Sequence, residues 1–292
     1  MATLARSTTQ RALARPRVAA LAGRALLYGL LAAVTLVWVA PFVWMLVTSL
    51  KPESEIYRYP PVWLPSHPTV EYYTSLATQF ALLAWFKNSF VVATVTTLLA
   101  LVVDALAAYP LGRMRFRGRR AVTILILATF LVPPEIQMVP LFIGLSRLGL
   151  SDSYFSLSVP LAANAFGVFL LMQFFQTVPA ELEDAAVIDG CTRFGFFGRI
   201  LIPLSQPALV TVSIFTFVGS WNNLFWPLIV TNSDATRTLP VGLASLVAGA
   251  GLGSKEGTLM AAATVATIPA ALFFLVLQRY FVKGISTTGL KG

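Results

Sequence analysis

Residues 179–190 read PAELEDAAVIDG, and the chain continues as CTRFGFFGRILIPLSQP to Pro207. The first part has the local physics of a short, well-terminated helix. Pro179 suits the first turn, where a missing N–H costs nothing, and Glu181, Glu183 and Asp184 complement the positive end of the helix dipole. Gly190 can adopt the left-handed geometry that ends a helix and reverses the chain. Leu182, Ala185, Ala186 and Asp189 share one face at helical spacing, and the alanines leave it nearly flat, open to close approach by another helix. Helices that lie on a membrane surface are usually rich in Lys and Arg. This one is acidic and would be repelled by anionic lipid, so the pattern predicts a protein partner.

On either side of this segment the chain is apolar. Of the 292 residues 57% are hydrophobic and 11% charged, with a mean hydropathy of +0.77. A soluble domain carries roughly 25% charged residues, so this chain lacks the polar surface that water requires. A helix crosses the hydrocarbon layer with about 20 mostly apolar residues. The runs predict an all-α integral membrane protein with six transmembrane helices at 25–50, 86–109, 121–145, 156–178, 206–230 and 259–281. The third run is interrupted by Pro133, Pro134, Glu135, Gln137 and Pro140, which predicts a broken or kinked helix.

The formal charge of +9 raises nucleic-acid binding, and the placement of the charges answers it. Basic residues cluster in the N-terminal tail and in Arg113 to Arg120, each beside an apolar run. That pattern fixes topology rather than binding a polyanion. With both termini cytoplasmic, 15 of the 21 Lys and Arg fall on inside segments. The expected organisation is a basic tail over 1–24, a six-helix domain over 25–281 that includes an inside loop at 179–205, and a short tail over 282–292. The first apolar run is too long for the core of a signal peptide and no small-residue cleavage site closes it, so it is expected to remain as a span.

Chemistry within the chain has little to work with. Cys191 is the only cysteine and His67 the only histidine, so no catalytic constellation or metal site is expected. There is no Gly-Lys dipeptide, hence no phosphate-binding loop.

The motif Asp184-Ala185-Ala186-x-x-Asp189-Gly190, followed by Ile200-x-Ile202-Pro203, resembles the EAA loop of ABC-importer permeases. Two positions depart from the family pattern: Asp184 stands where Glu is usual, and Ile202 where Leu is usual. The resemblance extends to the MetI-like permeases of the maltose-type carbohydrate subfamily, specifically its MalG-like subunit. It is carried further by WNNLFWPL (221–228), PPEIQMVPL (133–141) and YFVKGISTTGLKG (280–292). In such a family the loop is a coupling helix docked on an ATPase. The resemblance therefore assigns coupling to Glu181, Glu183, Asp184, Ala185, Ala186, Asp189, Gly190, Ile200 and Pro203. It implies a second permease subunit, an ATPase dimer that binds ATP and Mg, and an extracytoplasmic solute-binding protein, with no cofactor in this chain.

Polar groups at membrane depth are costly and are the candidates for a solute pathway. Trp221 and Asn222 form the best pair for a sugar, an indole face for the ring and an amide for its hydroxyls; Asn223, Phe225, Gln137 and Asn164 complete the set. Packing or interfacial anchoring is the alternative for the aromatics, and helix–helix hydrogen bonding for the amides. Asp104 is the only acid in the second span and is expected to pair with a neighbouring helix or with the Arg113 region. The rival reading is an ion-coupled secondary transporter using Asp104 or Glu135; a phosphorylated polyol is the alternative solute.

Overall fold

The computed structural model describes residues 2–248 and 256–288. It divides into two units, Met1–Tyr72 with Glu256–Thr264, and Tyr73–Lys255 with Val265–Gly292. The regular elements among the described residues are all helices, and residues 57–70 and 231–238 connect them without one.

In the first unit, α1 (Ala2–Thr48) contains the apolar stretch Gly23–Thr48, whose side chains are exposed as far as Val43 and become buried toward Thr48. Such an all-round apolar surface suits lipid or another chain. At its end Lys51 is 1% exposed, with Nζ 3.8 Å from the Trp44 ring centroid, and Trp44 meets Trp63 edge-on at 5.4 Å. Burial holds the Lys51 pKa below its ordinary value, against the pull of Glu55. Glu55 in turn accepts hydrogen bonds from the Ser66 hydroxyl and backbone N–H.

The second unit is built on α2 (Leu82–Arg113). Its buried face carries Ala93, Ala100, Ala105 and Ala108, small enough for other helices to approach closely. A Cβ on Gly112 would lie 3.2 Å from the Met172 carbonyl oxygen, which shows how near that backbone comes. Besides short segments such as Arg193–Phe196 and Ile202–Leu204, further helices are α3 (Arg119–Ala128), α4 (Pro134–Arg147), α5 (Tyr154–Ser158), α6 (Ala165–Thr177), α7 (Ala180–Ile188), α8 (Gln206–Trp221), α9 (Phe225–Val230), α10 (Leu239–Ala248) and α11 (Glu256–Thr288). The last of these begins in the first unit. Ala105, Leu171, Phe175, Phe196, Leu201 and Val212 meet in one core.

Among the described residues three helices are long and apolar enough to cross a membrane, and three bent pairs bring the number to at most six. Arg119–Leu131 and Pro134–Arg147 meet at 98°, with Pro133 extended between them, as the proline pair predicts. Tyr154–Leu161 and Ala165–Thr177 meet at 44°, where a continuous span over 156–178 is expected from hydropathy. The third pair is Arg193–Leu204 with Gln206–Trp221, at 76°, so this span starts earlier than the expected 206–230, which is itself divided: α8 stops at Trp221 and α9 starts at Phe225. Pro227 has no N–H to offer the Asn223 carbonyl, and the Asn223 side chain accepts the Trp226 N–H instead.

One freed carbonyl is met by an indole. Pro160 has no N–H for the Ser156 carbonyl, and that carbonyl accepts from Trp226 Nε1 at 2.9 Å. A second indole bonds a helix carbonyl beside a proline without replacing the lost bond: Trp221 Nε1 donates to the Ala266 carbonyl at 2.9 Å, whereas the missing Pro269 N–H is owed to Val265. Inside a bilayer, replacement of the kind that Trp226 supplies is what makes broken helices tolerable.

Candidate translocation cleft and coupling helix

The predicted helix forms as α7, with Pro179 just outside it in extended geometry rather than in its first turn. Its end is a complete Schellman motif. Gly190 has φ +76°, its N–H donates to the Val187 carbonyl at 3.0 Å, and the Cys191 N–H donates to the Ala186 carbonyl at 2.8 Å. The expected flat face is split. Ala186 is buried in the core with Phe196 and Leu201, whereas Ala185, Leu182 and Asp189 are exposed. The outward edge is more apolar than the motif suggests, with Val187 exposed and Ile188 86% exposed. Ile200 packs against the same core, and Pro203 is exposed on the short helix Ile202–Leu204.

One side chain fastens this helix to the membrane body. Arg113 reaches Glu183 through Nη2 at 2.8 Å and Nε at 2.9 Å, and its Nη1 donates to the Val178 carbonyl at 2.7 Å. Tyr109, one turn earlier on α2, donates to the Arg193 carbonyl at 3.2 Å. Glu181 and Asp184 stay exposed.

A cleft of about 560 Å³ opens among α2, α4, α6 and α8 and the connections between them. Gln137, Asn164 and Asn223, predicted from three distant segments, all line it. Sequence reasoning missed Thr96, Thr129, Thr216 and Ser220, which join them. A signal was available: Thr216 and Ser220 fall at i and i+4 on the apolar helix α8, and Asn223 continues their line just past its end. The hydroxyls of Thr96 and Ser220 have no hydrogen-bond partner among the described residues.

The other predicted pathway residues lie elsewhere. Trp221 is 1% exposed, stacked on Phe217 and edge-on to Phe86 at 5.4 Å, with its N–H spent on Ala266. No ring face is left for a sugar, and the residue packs. Asn222 and Phe225 are exposed but do not line the cleft. Asp104 is 0% exposed and accepts the Asn164 N–H at 3.0 Å; the Arg113 guanidinium goes to Glu183 instead.

At the opposite end of α2, residues 231–238 are tied down by many bonds. Asn88 donates to the Ala235 and Arg237 carbonyls at 3.0 and 2.9 Å, and the Leu239 N–H donates to Ser89 at 2.8 Å. Asp152 accepts from the Thr236 hydroxyl and from the Asn232 N–H. Burial pushes the Asp152 carboxyl up, but hydrogen bonds from Thr236, Ser233 and Asn232 outweigh it and hold the pKa below the usual carboxylate value. The apolar stretch from Leu239 forms α10, laid against α2, with Gly242 under the Trp85 ring where any Cβ would collide. Of the glycine-rich run from Gly249 to Gly257 in the sequence, residues 249–255 lie outside the described residues.

Broken apolar helices around an uncharged polar cleft, with a short acidic helix clamped at one end, define a membrane transport subunit of the permease type. The chain belongs to the family of binding-protein-dependent transport system inner membrane components, whose profile matches residues 104–287. It is 36% identical over 264 residues to an arabinooligosaccharides transport system permease protein of Bacillus subtilis, covering 88% of this chain and 92% of that one. It is 35% identical to the sulfoquinovosyl glycerol transport system permease protein of Agrobacterium fabrum, covering 86% and 88%. Among solved structures it resembles a chain of a bacterial ABC transporter involved in import of the acidic polysaccharide alginate, with TM-score 0.77, 25% identity, and coverage of 87% and 94%.

Proposed function

We propose that this chain is one of two permease subunits of an ABC importer and passes a neutral carbohydrate through the Gln137–Asn164–Asn223 cleft by alternating access. A solute-binding protein delivers the solute on the outer side, and a separate ATPase dimer, which holds the ATP and Mg, drives the cycle through α7. Both termini lie in the cytoplasm in this reading, supported by the 15 of 21 basic residues that then fall inside.

The observation that carries it is α7 itself, fastened to α2 through Arg113 and presenting Val187 and Ile188 outward. A helix held so firmly at one side and left apolar at the other is built to transmit the motion of a partner. The cleft lining supports a neutral solute over a phosphorylated polyol: amides and hydroxyls line it, and no Lys or Arg does.

The test uses the complete complex in proteoliposomes. Ile188→Asp is expected to abolish solute-stimulated ATP hydrolysis and uptake. Asn223→Ala with Gln137→Ala is expected to slow uptake while the binding protein keeps its affinity. Uptake at the normal rate with both sets of changes would overturn the reading.

A further inference from the structure

We infer that Asp104 and Gly167 complete a capping box across two helices, which fixes the break in the fourth span and sets Asn164 on the cleft wall. In a capping box within one helix, the N-cap side chain takes an N–H of the first turn. The third helical residue, a Glu or Gln, takes the N-cap N–H in return. In α6 the N-cap is Asn164, and it performs the first half: its Oδ1 accepts the Phe166 N–H at 2.9 Å. The third helical residue is Gly167, which has no side chain to perform the second.

Asp104 of α2 performs it from outside. Its Oδ1 accepts the Asn164 N–H at 3.0 Å. A Cβ built on Gly167 would fall 2.0 Å from Asp104 Oδ2 and 2.9 Å from its Cγ. The carboxylate of one helix therefore occupies the volume that the missing side chain of the other would fill. Glycine at 167 and aspartate at 104 are two halves of one device. The positive end of α6 favours a carboxylate there, which helps explain a fully buried acid within a span.

The consequence reaches the cleft. Asn164 is extended (φ −129°, ψ 118°), so the chain breaks at this residue, and its side chain lines the same wall as Gln137 and Asn223. Asp104 acts through Asn164 and is a positioning residue; this role rests on the proposal that the cleft is the pathway.

The experiment exchanges the two halves in the complete complex. Asp104→Ala is expected to lower maximal uptake by about tenfold, the loss of a buried charge-assisted hydrogen bond, with half-saturation by loaded binding protein unchanged. Asp104→Asn keeps the acceptor and is expected to stay within about twofold of the parent. Asp104→Ala with Gly167→Glu places the carboxylate at the third position of α6 itself. Most of the lost uptake should return, together with slow hydrogen exchange at the Asn164 amide. If Asp104→Ala yields no complex, recovery of assembly by Gly167→Glu decides in favour. A double variant no better than Asp104→Ala alone, in uptake, assembly and exchange, overturns the inference. Asn164→Ala separates the two ideas: unchanged uptake there refutes the pathway, while the amide exchange still reports the cap.

Discussion

Arg113, the last residue of α2, binds the Glu183 carboxylate of α7 at 2.8 Å and the Val178 carbonyl just past the end of α6 at 2.7 Å. The arginine side chain is 8% exposed and the glutamate 26%. One guanidinium thus joins the end of α2, the end of α6 and α7, the helix proposed to meet the ATPase. Its fork geometry is what permits three directions at once, and a lysine ammonium would not reproduce it. Arg113→Ala is expected to raise the ATP hydrolysed per solute imported several-fold, because α7 then moves without carrying α2. Arg113→Lys should fall between the two, and Glu183→Gln should be milder because it keeps an acceptor. Simultaneous measurement of phosphate release and solute uptake in proteoliposomes gives the ratio; an unchanged ratio in Arg113→Ala would remove the clamp from the coupling path.

Gly190 gives a cleaner backbone test. Its φ of +76° is left-handed, and nothing lies within 4 Å of a Cβ placed there. An alanine therefore meets no clash, only the left-handed penalty of about 1–2 kcal/mol. Gly190→Ala is expected to loosen the Schellman end of α7 and reduce stimulated ATP hydrolysis. Gly190→Asn should be closer to the parent, since Asn visits this region more readily, and Gly190→Val should be worst. Equal activity across the three would mean that the turn is not required.

The parts of the fold that can be read from sequence are those set by local rules. Gly190 ends a helix because only glycine enters that geometry freely, and the pair Pro133-Pro134 breaks one because neither residue supplies an N–H. Gln137, Asn164 and Asn223 stand out as amides in apolar runs, and they converge on one cleft. What resisted reading depends on partners far away in the chain. The Trp221 indole finds its carbonyl 45 residues on, and Asp104 finds its donor 60 residues on. Hydropathy also sees continuous spans where Asn164 and Asn223 start new helical segments, since a polar cap one residue wide hardly changes a window average. Lys51, just past the end of α1, is buried with its ammonium over the Trp44 ring, a contact that no local spacing rule announces.

The Asp152 cluster makes a prediction about pH. Its carboxyl titrates below the ordinary range because the ionised form is the better acceptor for Thr236, Ser233 and Asn232, despite burial. A depressed folded pKa contributes stability that is fully present above the unfolded value and is lost as pH falls through the folded one. The 231–238 segment should therefore keep its hydrogen-exchange protection from neutral pH down through the usual carboxylate range, and lose it only at more acid pH. Asp152→Asn should abolish that acid dependence and raise exchange at residues 232 and 233 at neutral pH. Unchanged exchange in the variant would show that the segment is held by Asn88 and Ser89 alone.

Trp221 and Asn223 sit two residues apart and should separate stability from transport. Trp221 is packed against Phe217 and Phe86 and donates to the Ala266 carbonyl near Pro269. Trp221→Phe keeps most of the packing but removes that hydrogen bond, a cost of about 0.5–1.5 kcal/mol. Trp221→Ala adds a cavity and should cost about 3–5 kcal/mol. Both should lower the thermal unfolding midpoint of the purified complex, and Trp221→Phe should leave competition among solutes unaltered. Asn223 lines the cleft and also accepts the Trp226 N–H at 3.3 Å, a long and weak cap. Asn223→Ala should therefore move the midpoint little and change uptake much more. A shift in solute selectivity in Trp221→Phe without loss of stability would return the indole to the pathway and reverse the assignment.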